Sequence, residues 1–197
     1  MSTSRPASKR KKGSYHHGEL RPELVRAAQV LLEDQGLAGI ALREVARRAG
    51  VSHNAPYRHF KDRESLLAAV AAEGYRMFGK DLIGKSSREM GIAYVHFALA
   101  HPNLFRLMFG GQISLDDHPE LDHAAESLHD SLRTAFRSDP VITDPETAAA
   151  AAWSLVHGLA HLLLDGQFRG TAGSTTGKFV QDVIGAVRFA AGAQRSA

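Results

Sequence analysis

The chain has 197 residues, 44% of them hydrophobic, with no cysteine and a formal net charge of +3. That length buries one sizeable core, or a small module beside a medium domain. Lack of cysteine excludes disulfides, thiolate metal sites and thiol nucleophiles and fits a reducing, cytoplasmic setting. No apolar run of the roughly 18–20 residues that cross a bilayer stands out, and the basic N-terminus carries no apolar segment of a secretory signal, so neither a membrane span nor export is expected.

Charge is unevenly placed. Residues 1–63 hold 13 Lys/Arg against 6 Asp/Glu, whereas residues 64–197 hold 11 against 15. A basic head on a mildly acidic body points to a polyanion partner for the head alone. The competing account is a solvated basic tail on an ordinary surface.

Residues 1–14 are rich in Ser, Lys and Arg and nearly devoid of apolar side chains, which predicts a disordered basic arm. From Glu19 to Gln35, Leu20, Leu24, Ala27, Ala28, Leu31 and Leu32 recur at steps of three and four. This is an amphipathic helix, with Pro22 tolerated in its first turn and Gly36 as its stop. A second helix is expected from Leu42 to Ala49, burying Leu42, Val45, Ala46 and Ala49, with Gly50 ending it. Ser52 then reads as the N-cap of a third helix running to about Phe60. Pro56 falls in that helix's first turn, where its missing N–H is expected to cost nothing.

Further helices are predicted at about 64–83, 87–100, 103–109, 119–137, 145–168 and 175–193, separated by turn-forming Gly, Asp and Pro clusters. In the first of these Leu66, Leu67, Val70, Tyr75 and Phe78 are the candidate core. No alternating strand pattern and no internal repeat is found, so the fold class is all-α. The expected division is the arm at 1–14, a helix-turn-helix head at 15–63 and a helical body at 64–197.

A bracing helix, the turn "AGVS" and a second polar, cationic helix follow the logic of major-groove recognition. His53 and Asn54 at its tip are placed to meet base edges, Asn being able to pair bidentately with adenine. Tyr57, His59 and Lys61 suit phosphates, which orient the protein without reading sequence. Ser52 and Arg43 add backbone contacts from the helix starts. The plain alternative is a structural helical hairpin with a solvated polar face.

The stretches "YHHGELRPELVRAAQVLLEDQG" and "GIALREVARRAGVSHNAPYRHFKDRESLLAAVA" resemble the DNA-binding head of the TetR family of bacterial transcriptional regulators. The resemblance implies an all-helical homodimer on double-stranded DNA, with a C-terminal domain that binds a small effector and thereby releases the operator. By position it implies a DNA-facing set of Ser52, His53, Asn54, Ala55, Tyr57, His59 and Lys61. The stretches "YVHFALAHPNLFRLMFGG" and "WSLVHGLAHLLLDGQF" resemble a subgroup with a Trp…His-Gly signature, here Trp153, His157 and Gly158. The link "FGKDLIGKSSREMG" is shorter than that subgroup leads one to expect.

Trp153, His157, His161 and Leu164 share one helix face. An i, i+4 histidine pair chelates a metal only with a third ligand nearby, and packing or ligand contact is the commoner use; no metal and no cofactor is expected. His118, His123 and His129 are expected to face solvent. His96, Phe97, His101, Phe105 and Met108, with the Trp153–His157–His161 face, are candidate lining for an apolar effector pocket with a few polar anchors. Ordinary core is the competing use of those aromatic positions. The Ala- and Gly-rich last two helices suit close packing against a second copy. A two-fold dimer then calls for a near-palindromic operator with half-sites about one turn apart. The basic arm, Arg5 and Lys9 to Lys12, either enters the minor groove or adds salt-dependent affinity. No nucleophile, paired-carboxylate site or phosphate loop is recognisable, so an enzyme is not expected. A ligand-independent regulator or activator with the same head is the alternative.

Overall fold

The computed structural model describes residues 20–140, 142–168 and 174–187, the side chains of residues 174 and 175 excepted. The basic arm and the expected tail of the last helix lie outside the described residues. Among the described residues there are eight α-helices and no strand, as the helical periodicity predicts. They are α1 (Leu20–Gln35), α2 (Leu42–Arg48), α3 (Arg63–Leu82), α4 (Ser87–Ala100), α5 (Pro102–Phe109), α6 (Pro119–Arg137), α7 (Pro145–Leu164) and α8 (Ser174–Ala186).

The turn after α2 is built from its last carbonyls. Gly50 N–H donates to Arg47 O at 3.2 Å and Val51 N–H to Ala46 O at 3.0 Å, the paired bonds of a Schellman stop. Gly50 sits at φ 70°, a left-handed conformation that a Cβ disfavours. The same device ends α7 four residues before the expected 168. Gly166 N–H bonds Leu163 O and Gln167 N–H bonds Leu162 O, so the Asp-Gly pair stops the helix there.

The expected third helix is not an α-helix. Residues 53–55 form a turn and only Pro56–Arg58 is helical, as a single 3₁₀ turn. The reason lies in one missing donor. With Ser52 as N-cap, residue 56 is the first whose N–H an α-helix needs, to bond Ser52 O, and proline has none. Ser52 O instead accepts from Ala55 N–H at 2.9 Å, the shorter-range bond of a 3₁₀ turn. Ser52 does not act as the side-chain cap of this turn either; Ala55 occupies that position, without a side-chain bond.

The hydrophobic core runs without interruption from head to body. Leu24, Leu31, Val45 and Phe60 pack with Leu66 and Val70 of α3. The same helix then carries Tyr75, Phe78 and Leu82 into the body. Along its length α3 packs against α1, α5 and α6, while α4 lies on α7 and α8. Asp62 starts α3 with a capping box, accepting from Ser65 N–H at 2.8 Å while Asp62 N–H donates to Ser65 Oγ at 3.1 Å.

The expectation of no span-length apolar helix needs correction. α7 is long and apolar enough to cross a membrane by length and composition, and 22% of that stretch is buried. Its sequence hides this by interleaving Trp153, His157 and His161 with alanines and leucines. One such helix is weak grounds for a membrane span.

Candidate nucleic-acid interface and a cavity in the helical body

Segment 52–61 is anchored at two points and open elsewhere. Pro56 and Phe60 are buried against the head core. Ser52, His53, Asn54, Tyr57, His59 and Lys61 are exposed, Ala55 is half-buried, and Tyr57 keeps 51% of its surface free. Arg43, on the outer face of α2, is exposed as well. A large aromatic left half in water beside cations is poorly used by folding alone. Arg58 was not among the predicted residues, yet it is exposed in the same turn. Its position inside "YRHFK" was the available signal.

The segment is held by its neighbours. Arg63 at the start of α3 donates from Nε to Ile40 O at 2.7 Å and from its terminal nitrogen to Leu37 O. This ties the loop before α2 to α3. Arg21 of α1 lies 5.4 Å over the Phe60 ring, within cation–π range. Together these contacts fix the polar surface relative to α1 and α3.

The body contains a cavity of about 250 Å³ between α4, α6, α7 and α8. Its walls include Phe78, Tyr94, Phe109, Phe136, Trp153 and Val156. Of the eight residues predicted as ligand contacts, Trp153 alone lines it. Phe97 and Phe105 are spent in the core, where Phe97 stacks on Phe78 at 4.8 Å and Phe105 is fully buried. Met108 is buried beside them. His96 and His101 lie with Phe97 along a separate, open groove on the other side of α4. The reason is helical phase: His96 is two positions from Tyr94 and so faces nearly the opposite way.

Tyr94 is the residue that sequence reasoning missed. Trp153 Nε1 donates to its hydroxyl at 3.3 Å, and that hydroxyl lies 2.8 Å from His157 Nδ1. Indole N–H only donates, so the Tyr94 oxygen accepts there, and the same hydroxyl pairs with His157 Nδ1. Burial holds the Tyr94 phenol far above its ordinary range, the Trp153 bond opposing this and Tyr75 adding to it. Burial first, and the charge of His161 second, hold the His157 imidazole below its ordinary value. The Trp153, His157 and His161 rings follow one another at 5.7 and 4.6 Å, as their spacing predicts. No third His, Asp or Glu joins the two histidines among the described residues.

His129, expected to face solvent, is half-buried. Its ring lies 5.3 Å from Trp153 in the cavity wall, and its Nε2 is buried without a hydrogen-bond partner among the described residues. His118 is half-buried at the surface, with Nε2 3.3 Å from Glu64; His123 remains exposed.

Head and body are joined by polar contacts as well as by α3. The Glu33 carboxylate, near the end of α1, accepts from the backbone N–H of Leu104 at 3.0 Å and of Asn103 at 3.3 Å. These are free donors of the first turn of α5, where a negative charge is favoured. Arg21 and Arg76 both reach Glu120 of α6.

A basic helix-turn-helix head on an all-helical body with an internal cavity defines a class, that of helical bacterial regulators. Comparison with known proteins gives the family. Residues 24–70 match the family model described as bacterial regulatory proteins, tetR family, and residues 87–187 match the tetracyclin repressor-like C-terminal domain. The second match spans more than half of the chain, and the chain belongs to the TetR family. It is 34% identical over 68 residues to the HTH-type transcriptional repressor Rv3405c of Mycobacterium tuberculosis, covering 34% of this chain and 36% of that protein. It is 43% identical over 51 residues to the tetracycline repressor protein class C of Escherichia coli, 26% of this chain and 23% of that protein. The chain thus matches about a third or less of the length of these curated relatives. A solved structure of a protein with unknown function from Rhodococcus sp. RHA1 is 33% identical, with a TM-score of 0.73 over 89% of this chain and 94% of that one. The structure of a TetR variant from Acinetobacter baumannii AYE in complex with minocycline shares the fold at 17% identity, with a TM-score of 0.57 over 88% of this chain and 96% of that one.

Proposed function

We propose that this protein is a dimeric transcriptional repressor that leaves a near-palindromic operator when a small, largely apolar effector enters the body. The observation that carries the reading is segment 52–61: two buried anchors hold a run of exposed polar and cationic side chains on the basic end of the molecule. In this reading the head is residues 15–63, the effector and dimerisation domain is 64–197, and the protein works in the cytoplasm without catalysing a reaction. His53 and Asn54 meet bases; Arg43, Ser52, Tyr57, His59 and Lys61 hold phosphates, joined by Arg58, while Ala55 packs close to the duplex.

The second copy docks on the bare face of α7. Ala150, Ala151 and Ser154 are exposed there, Leu162 keeps 43% of its surface free, and a Cβ at Gly158 would meet nothing. Small residues permit close helix approach, and two heads related by a two-fold axis match a palindrome. The Trp…His-Gly subgroup suits this chain because Trp153 and His157 converge on Tyr94 while Gly158 leaves the opposite face flat. The cavity, rather than the Phe97–His101 groove, is the effector site. An effector pressing on Phe109 moves α5, whose first turn is held by Glu33 of α1, and so reaches the head. This requires only tighter binding to the conformation that cannot hold DNA. The minocycline complex of the Acinetobacter protein, which shares this fold, supports a small-molecule effector.

The test is footprinting on the DNA upstream of the gene. Protection of two half-sites one turn apart by two protomers is expected. A single unpaired site, or binding by monomers, contradicts the proposal. The ligand-independent regulator sharing this head is disfavoured by the cavity.

A further inference from the structure

Arg88 stands at the mouth of the cavity: it lines the cavity and remains exposed. The described arginines of the body are Arg76, Arg88, Arg106, Arg133 and Arg137. All but Arg88 hold a carboxylate. The acids nearest to it in sequence and on α8 are engaged elsewhere, Glu89 by Ser86 in the cap of α4 and Asp182 by Lys178 at 2.6 Å. Among the described residues Arg88 makes only a long 3.4 Å contact to Gln181 O.

The opposing helix makes room for this guanidinium. A Cβ at Gly185 would lie 2.7 Å from the Arg88 terminal nitrogen. A side chain there would require the guanidinium to shift. A planar guanidinium favours bidentate pairing with a carboxylate, and this one borders an apolar cavity with no carboxylate on it among the described residues. An apolar cavity of about 150 Å³ takes up benzene, so the 250 Å³ here holds one ring with substituents or a compact pair of rings.

We infer that the cavity binds an aromatic carboxylic acid, its carboxylate on Arg88 and its rings against Phe78, Tyr94 and Trp153. The inference rests on the effector-gated reading of the same cavity. It names the ligand's chemical class, which that reading leaves open.

Trp153 is the only tryptophan in the chain and lines the cavity, so its fluorescence reports occupancy of the full-length protein directly. Benzoate, phenylacetate and 1-naphthoate are titrated beside their primary amides, and DNA binding is followed separately by anisotropy. At least one acid is expected to bind tenfold or more tighter than its amide. Arg88→Gln, which leaves every described ion pair intact, is expected to abolish the preference without weakening the amide. Gly185→Ala is expected to reduce it, and Arg88→Lys to keep part of it. Equal binding of acid and amide, an unchanged preference in Arg88→Gln, or binding of neither series overturns the inference. If amides bind and release DNA while acids do not, the inference fails and effector gating stands. If acids bind through Arg88 while DNA is held unchanged, the site stands and gating fails.

Discussion

At the scale of single residues, Tyr94 joins three helices through one side chain. Its hydroxyl accepts from Trp153 of α7 and pairs with His157 Nδ1 of the same helix, while its ring meets Phe78 of α3 and Phe105 of α5. Tyr94→Phe leaves the packing and strands the Trp153 N–H, so a loss of about 1–3 kcal/mol is expected in urea unfolding. A variant as stable as the parent would remove Tyr94 from this role. His157 makes the same cluster sensitive to acid. Its imidazole is held below the ordinary value, so the unfolded chain takes up a proton first as pH falls. The stability it contributes is full above about 6.5 and lost as pH falls below that, until the folded-state value is passed. Protonation also makes both ring nitrogens donors, so Nδ1 then competes with the Trp153 N–H for the Tyr94 oxygen. Unfolding at pH 7.5 and 5.5 should therefore show a smaller acid-induced loss in His157→Gln than in the parent, and an equal loss contradicts the assignment.

At the scale of elements, the turn between α2 and segment 52–61 positions everything the head presents. Gly50→Ala forces a Cβ into a left-handed conformation and should cost about 1 kcal/mol. Asp62→Ala removes the cap of α3, with a similar expected loss of about 1 kcal/mol. Thermal melts measure both, and neither variant should alter the preferred DNA sequence. Helix ends set by glycine or proline were legible in the sequence: Gly36, Gly50 and Pro102 punctuate as their chemistry demands. The helical nature of 52–60 was misread because the count of free N–H groups stops one residue short of Pro56. The early stop of α7 was available in Asp165-Gly166, whose turn signal was weaker than the apolar run leading into it. The cavity was not legible. Aromatic spacing locates a helix face but does not say which faces meet, and Phe97 and Phe105 fill the core while Tyr94 and His129 face the space. Arg88 carries no local pattern, and only the partners its neighbours already hold single it out.

At the scale of the whole molecule, two asymmetries complement each other. Basic charge gathers in residues 1–63, and bare small-residue surface gathers on α7. In the proposed function the first draws the head to phosphate, and the second lets two heads act together. Leu162→Asp on the bare face should yield monomers in sedimentation. It should also weaken DNA binding by at least the tenfold expected when the second half-site is lost, with helicity unchanged. A dimer that survives this change is held elsewhere. The measurement that bears most directly on the account is the salt dependence of DNA affinity for the parent and for the joint Tyr57→Ala, Lys61→Ala variant, on a fragment selected by the parent protein. The expected result is an intact fold by circular dichroism, affinity lowered about tenfold or more, and a salt slope reduced by about one unit for the lost lysine. Undiminished affinity with an unchanged slope would mean that segment 52–61 does not lie against the duplex.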